Sequence, residues 1–310
     1  LVAAANKQDR FLLLDDPTIP EPDIDVAIHP IFSASNFINA TPQIYESLQQ
    51  SLRFASMFLE HDSVLEWFVS PLLGLPLLDS ETSKSYLSDP LTGKSPGERR
   101  ELIRRVRKAF ECLAHSVHFQ FITDKEVKFY ARTTLHSFQP VHYWDFFQDH
   151  FSTSSLCERL RVDFSLGVGL VHELCHAVGV MRRGNLIEPH VRLTHIDKPE
   201  FGYAWENFMF GGIINPFDRT ATRLSFLMRK VWADDSKVYP AGGKEWSAVP
   251  MSYVARWFRK ETWSTIAEHG PTAIPQPTFH LKLRCHEKKG YTIFADDEQA
   301  ISHVKALKRA

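Results

Sequence analysis

The sequence predicts a helix-dominant α+β fold, and three observations predict it. Apolar residues recur at helical spacing in several long stretches. Partial alternation of apolar and polar residues is confined to short runs near residues 117–132. No internal repeat or low-complexity tract divides the 310 residues. At 44% hydrophobic residues the chain can bury a substantial core, as a single domain over 1–310 or as two closely joined lobes, about 30–185 and about 186–310.

Residues 15–30 are rich in Pro and Asp and read as an extended surface arm. Thr41-Pro42 has the form of a helix start, a capping hydroxyl followed by proline in the first turn. The helix should continue to about Glu60, with Ile44, Leu48, Leu52, Ala55 and Leu59 on one face. Residues 74–97 read as a long loop. A second helix is expected from about Gly97 to His115, with Leu102, Ile103, Val106, Phe110 and Leu113 inward and a basic cluster, Arg99 to Lys108, outward. Val117 to Ile122 and Val127 to Arg132 read as a β-hairpin. Further helices are expected over about 163–181, 198–210, 250–268 and 297–307.

Composition excludes some classes. The formal net charge is −1, and the basic cluster on the second helix is explained by a solvated face, so nucleic acid is not an expected partner. No unbroken apolar run reaches the ~18 residues of a membrane span, so no membrane is expected either. The first residues lack the basic start and apolar stretch of a signal peptide. The chain does not begin with Met, which leaves room for an upstream segment. Its four cysteines, Cys112, Cys157, Cys175 and Cys285, form no CxxC pair, and a chain of this size needs no disulfides. A reducing, cytoplasmic setting is the expectation. Leu91-Thr92-Gly93-Lys94-Ser95 has the end of a phosphate-binding loop, but Ser88 stands where its first glycine belongs, and that reading is rejected.

The chemistry-bearing stretch is Gly169-Leu170-Val171-His172-Glu173-Leu174-Cys175-His176-Ala177-Val178-Gly179. His172 and His176, four apart, share one face of a helix and can bind one metal ion. Glu173 is rotated by about 100° from His172, beside the metal, where it can take a proton from water. The uncharged flanks mark a buried helix. Zinc suits such a site: it accepts imidazole nitrogen, tolerates an open position and brings the pKa of bound water to about 7.

His172-Glu173-x-x-His176 resembles the metal motif of the zincin metallopeptidases. The resemblance implies a small mixed sheet, an active-site helix bearing this motif, and a following helix with the third ligand. In the metzincin branch a third histidine would stand at position 182, which is Arg182, although Gly179 fits and Pro250-Met251-Ser252-Tyr253 looks like that branch's methionine turn. The segment Pro199-Glu200-Phe201-Gly202-Tyr203-Ala204-Trp205-Glu206 is closer to the gluzincin pattern, in which a downstream glutamate completes the metal site. Glu200 is the favoured ligand, since Ala204 one turn on would let two helices approach. Glu206 is the alternative. Six residues apart, both cannot point at one metal from a regular helix. Asp197-Lys198-Pro199-Glu200 also has capping-box spacing, with Asp197 as the cap. His190 and His195 are reserve ligands, and Cys175 reads as a small core residue. With Phe210-Gly211-Gly212, the region further resembles intracellular fungal HExxH proteins of unassigned function.

The expected function is therefore a zinc-dependent hydrolase, a metallopeptidase with zinc on His172, His176 and Glu200 and Glu173 as general base. Its expected partner is a peptide or small-molecule substrate. Tyr203, Tyr253 or His195 could stabilise an oxyanion, and Val127 to Arg132 could hold an extended substrate. A tailoring enzyme acting on a small metabolite, or a non-enzymatic binding module on the same scaffold, are the competing readings. The intact Glu173 argues against the latter.

Overall fold

The computed structural model describes residues 12–121, 133, 143–192, 199–216, 224–230, 244–277, 281–286 and 290–295. The fold is α+β with helix dominant.

Thr41 caps α1 (Pro42–Ser47) through its hydroxyl, as the Thr-Pro pair predicts. The helix breaks at Leu48 and resumes as α2 (Gln49–Glu60). It is followed directly by α3 (Asp62–Leu73), which the sequence reading missed. Val64, Leu65, Phe68, Val69 and Leu72 of α3 are all buried, and so are Ser70 and Pro71. A helix wrapped by core on most sides carries no clear polar stripe to betray its period.

The expected loop over 74–97 holds a small antiparallel hairpin, β1 (Pro76–Leu78) with β2 (Ser85–Leu87). In α4 (Pro96–Leu113), Ser95 and Glu98 form a reciprocal capping box. Its basic residues are largely matched by local acids: Arg104 pairs with Glu101, Lys108 with Glu111, and Arg107 with Asp62. Phe119 bridges Phe37 in parallel register. The second strand of the expected hairpin, 127–132, lies outside the described residues.

The central element is α5 (Leu156–Arg183), longer at both ends than the expected 163–181. Ser155 caps it by accepting from Glu158 N, and Gly184 ends it at φ 72°, a left-handed conformation suited to glycine. By length and composition alone α5 is long and apolar enough to cross a membrane, a property that buried core helices share. Polar residues such as Asp163 and His172 interrupt its apolar runs. It is packed as a core helix here, against α2, α3, α6 (Phe201–Phe210) and the later α7 (Met251–Arg256). The expected helix over 250–268 is two, α7 and α8 (Lys260–His269), with Pro250 as the cap of α7. The helix expected over 297–307 lies outside the described residues.

The small sheet implied by the resemblance has five strands, none of which was located in the sequence. β3 (Ile214–Pro216), β4 (Leu227–Lys230), β5 (Lys244–Val249), β6 (Leu281–His286) and β7 (Gly290–Ala295) pair in chain order. Every pairing is antiparallel, with Leu227 opposite Val249 and Trp246 opposite Leu283, so the sheet is not mixed as expected. The β5–β6 pair is antiparallel although α7 and α8 lie between its strands in the chain. The pattern was misleading in β5, where Glu245 and Ser247 are buried and Trp246 is less so. There Glu245 Oε1 lies 3.8 Å from Lys282 Nζ.

The core is strongly aromatic where these helices meet. Phe54 and Phe58 of α2, Phe164 of α5, Trp205 and Phe210 of α6, and Trp257 and Trp263 near α7 and α8 form one contiguous cluster. Burial of each such ring is worth roughly 1.5–3 kcal/mol. Trp205, with its centroid 5.0 Å from that of Phe58, fixes the inward face of α6. Gly202 and Glu206, beside Trp205 on α6, meet His172 of α5.

Candidate metal centre

His172 and His176 stand one helical turn apart on α5, with ring centroids 5.2 Å from each other. Their Nε2 atoms converge on a single oxygen: Glu200 Oε1 lies 3.0 Å from His172 Nε2 and 2.8 Å from His176 Nε2. One ligand atom from each of these three residues falls within 4.8 Å of the others, and the group could hold a metal ion.

Glu200 does not belong to the helix. Its backbone is extended, and it is itself the cap of α6, its other oxygen Oε2 accepting from Tyr203 N. The capping role suggested for Asp197 falls to Glu200, because α6 begins at Phe201. Asp197 and His195 lie outside the described residues. One carboxylate thus ends a helix and closes the ligand triangle.

Glu206 is one turn and a half further on and meets His172 from the other side, with Oε1 2.7 Å from Nδ1. The two glutamates do not compete for one metal position; they flank opposite edges of one imidazole. Glu206 Oε2 accepts from Ile214 N at the start of β3.

His176 has an equivalent partner that sequence reasoning missed. Glu188 Oε1 lies 2.7 Å from His176 Nδ1. Glu188 follows the Gly184 reversal and is the one acidic residue between Glu173 and Asp197. Since ligating histidines usually give their second nitrogen to a carboxylate or carbonyl, that isolated acid was the available signal.

The close approach of α5 and α6 runs through Gly202, not through Ala204 as expected. A β-carbon on Gly202 would sit 2.4 Å from His172 ring atoms.

Glu173 is buried, and its Oε2 accepts from Thr133 Oγ1 at 2.5 Å. The same hydroxyl reaches the Glu173 carbonyl at 3.2 Å. Among the described residues Glu173 Oε1 has no hydrogen-bond partner. Thr133 was not foreseen; no spacing relates a residue 40 positions away to the motif.

Of the other expected residues, Tyr203 reaches the site. Its ring lies 5.0 Å from that of His172, and it is 43% exposed. Tyr253 is buried with its ring near Trp257, and burial pushes its phenol well above the ordinary value. His190 is not at the site: its backbone bridges Ser85 and Leu87 of β2, and burial lowers its imidazole. Cys175 is buried with its thiol on Val171 O, and burial raises it far above its ordinary value. It is a core residue, as expected. Met251 of the supposed methionine turn is buried on α7, where Arg161 reaches its sulfur at 3.6 Å.

The electrostatics fit a cation. Burial opposes charge on both imidazoles, but the carboxylates outweigh it. Glu200 and Glu206 carry His172 well above its ordinary value, and Glu188 and Glu200 bring His176 up to about 9. Burial would raise Glu200, yet the two histidines hold it well below the carboxylate range. Glu206 is raised by its burial. The carboxylates thus favour a second proton on each imidazole. If each Nδ1–H is given to Glu206 or Glu188, both Nε2 lone pairs face the Glu200 oxygen, and only a cation between them relieves that arrangement. A divalent ion supplies the same charge as the two protons. Two imidazole nitrogens and a carboxylate oxygen are donors of the kind that hold a divalent metal ion.

No family model matches the chain, and a comparison with curated proteins and with solved structures finds no similar protein.

Proposed function

We propose that this chain is a zinc-dependent hydrolase, a metallopeptidase in which His172, His176 and Glu200 hold the metal and Glu173 is the general base. One observation carries the reading: two imidazole nitrogens and one carboxylate oxygen converge, and both imidazoles are gripped from behind by carboxylates. A surface cluster formed by chance would not have each histidine's second nitrogen engaged in this way. When bound, zinc would supply a Lewis acid that polarises a carbonyl and acidifies water at neutral pH.

The chain's own residues do the rest. Glu206 and Glu188 fix both rings with Nδ1 as the donor, so Nε2 of each is free of a proton when the site is loaded. Glu173 adjoins His172 in the chain, and Thr133 anchors one of its oxygens. The other oxygen can accept a proton from water and return it to the leaving amine. Tyr203, exposed beside His172, is the phenol this reading assigns to the oxyanion.

The test is to load the purified protein with one equivalent of zinc and follow cleavage of a mixed peptide library by mass spectrometry. Glu173→Gln protein with equal zinc serves as the control. Cleavage by the parent, reduced by about a hundredfold or more in the variant, is the expected result. Parent protein that takes up no zinc sinks the reading. So does equal cleavage by the variant.

A further inference from the structure

Glu188 makes two hydrogen bonds that no single structural need requires together. Oε1 meets His176 Nδ1 at 2.7 Å, and Oε2 accepts from Phe201 N at 2.7 Å. Phe201 is the first residue of α6, directly after Glu200. The carboxylate thus spans the gap between the second histidine of α5 and the backbone that sets the position of Glu200.

We infer that Glu188 is a positioning residue that locks the His176 ring and the Glu200 carboxylate into one rigid unit, and so sets the affinity of the metal site. The inference rests on the zinc reading proposed above.

Glu188 is itself fixed on both sides. Upstream, Gly184 turns the chain back at the end of α5. Downstream, His190 is clamped to β2, its N–H donating to Ser85 O and its carbonyl accepting from Leu87 N, each at 2.9 Å. The Glu188 side chain between these anchors is only 7% exposed, though its neighbours Leu186 and Ile187 are exposed. Gly179 leaves room for Arg183 and the Phe201 ring beside it, since a β-carbon there would lie 2.5 Å from Arg183 Nη2 and 3.3 Å from that ring. Arg183 stacks over that ring at 4.8 Å and closes the outer side. A carboxylate suits the place because it offers an acceptor to each of two donors. An amide has one acceptor oxygen, and its NH2 group would face a donor.

Glu188→Gln keeps the shape and removes one acceptor, while Glu188→Ala removes both. Zinc affinity is measured by competition with a chromophoric chelator, and exchange of the Phe201 amide by NMR, with and without zinc. The expected result is zinc affinity ten- to a hundredfold weaker in both variants, the usual scale for losing an outer-shell partner, with faster Phe201 exchange even without metal. Ile187→Ala, on the same loop but exposed, should bind zinc as the parent does. In the parent, zinc loading should slow Phe201 exchange, a result that needs no variant.

A variant with parent affinity and fast Phe201 exchange would reduce Glu188 to a loop and helix cap and overturn the inference. Weakened affinity with unchanged exchange would overturn the coupling to α6, as would a parent whose Phe201 exchange ignores zinc. A parent that binds no zinc sinks the functional proposal itself, whereas a parent that binds it and a Glu188→Gln protein that binds it equally well sink this inference alone.

Discussion

Gly202 lies against the imidazole of His172 so closely that a β-carbon would come within 2.4 Å of three ring atoms. The contact is what brings the Glu200 carboxylate to both histidines, because Glu200 and Gly202 sit at the same end of α6. Neither partner can yield easily. His172 is held by Glu206 at its far nitrogen, and α6 is held by Trp205 in the aromatic core.

Gly202→Ala should therefore push the two helices apart. Overpacking of this kind costs about 1–3 kcal/mol, and thermal unfolding should show it. Zinc affinity should fall by about tenfold or more, as when an outer-shell partner is displaced. Gly169→Ala is the control. On α5, one turn before His172, its would-be β-carbon has nothing within 4 Å among the described residues. Alanine in a helix interior is favoured over glycine by roughly 0.5–1 kcal/mol, so that variant should be slightly stabilised and bind zinc normally.

The two glutamates that flank His172 should separate on titration with zinc. Glu200→Gln removes a charged oxygen from between both Nε2 atoms and should all but abolish binding at micromolar zinc. Glu206→Gln still offers an oxygen to Nδ1 and should cost about ten- to a hundredfold. The opposite order, measured by the same chelator competition, would make Glu206 the ligand and leave Glu200 as the cap of α6.

How much of this was legible in the chain depends on distance along it. His172, Glu173 and His176 are fixed relative to one another by helical geometry alone, so their spacing was enough. Glu200 was legible as an acid ahead of an apolar helix, but its extended backbone was not, and that is what lets it face the histidines while Glu206 approaches from behind. Glu188 and Thr133 join the site through the tertiary fold, which local periodicity does not encode. The same limit hid α3, buried nearly all round, and β5, where Glu245 and Ser247 point inward.

Asp163, on α5 about two and a half turns before His172, gives a prediction about stability and pH. It is buried at 2% exposure, and Ser51 Oγ donates to it at 2.5 Å. Burial, outweighing that hydrogen bond, raises its carboxyl from the ordinary 3.8 to about 7. A carboxyl raised on folding binds its proton more tightly in the native state, so its contribution to stability is complete below about pH 4 and is lost as pH rises through about 7. At about 1.4 kcal/mol per pKa unit, the loss reaches at most roughly 4 kcal/mol. Asp163→Asn keeps an acceptor for Ser51 and never ionises. It should be more stable than the parent at pH 8 in urea titrations, with the gain shrinking by more than half at pH 5. A gain of constant size across that range would show that Asp163 does not titrate in the folded protein.

Thr133 supplies the last prediction, because its hydroxyl bonds to Glu173 and, among the described residues, to none of the proposed ligands. Its hydroxyl donates to Glu173 Oε2 at 2.5 Å, so the carboxylate is anchored by one oxygen and can use the other. Thr133→Val preserves the branched shape and deletes the donor. Zinc affinity should not change, since His172, His176 and Glu200 keep all their partners. Turnover of a cleaved peptide should fall by about tenfold, less than the hundredfold or more expected for losing the base itself. The loss should lie in kcat, with KM little altered, because an unanchored carboxylate still leaves the substrate surface intact. Thr133→Ser retains a hydroxyl and should recover most of the rate. If Thr133→Val turns over peptide at the parent rate, Glu173 needs no anchor. If it loses zinc instead, the contact props the helix rather than the base.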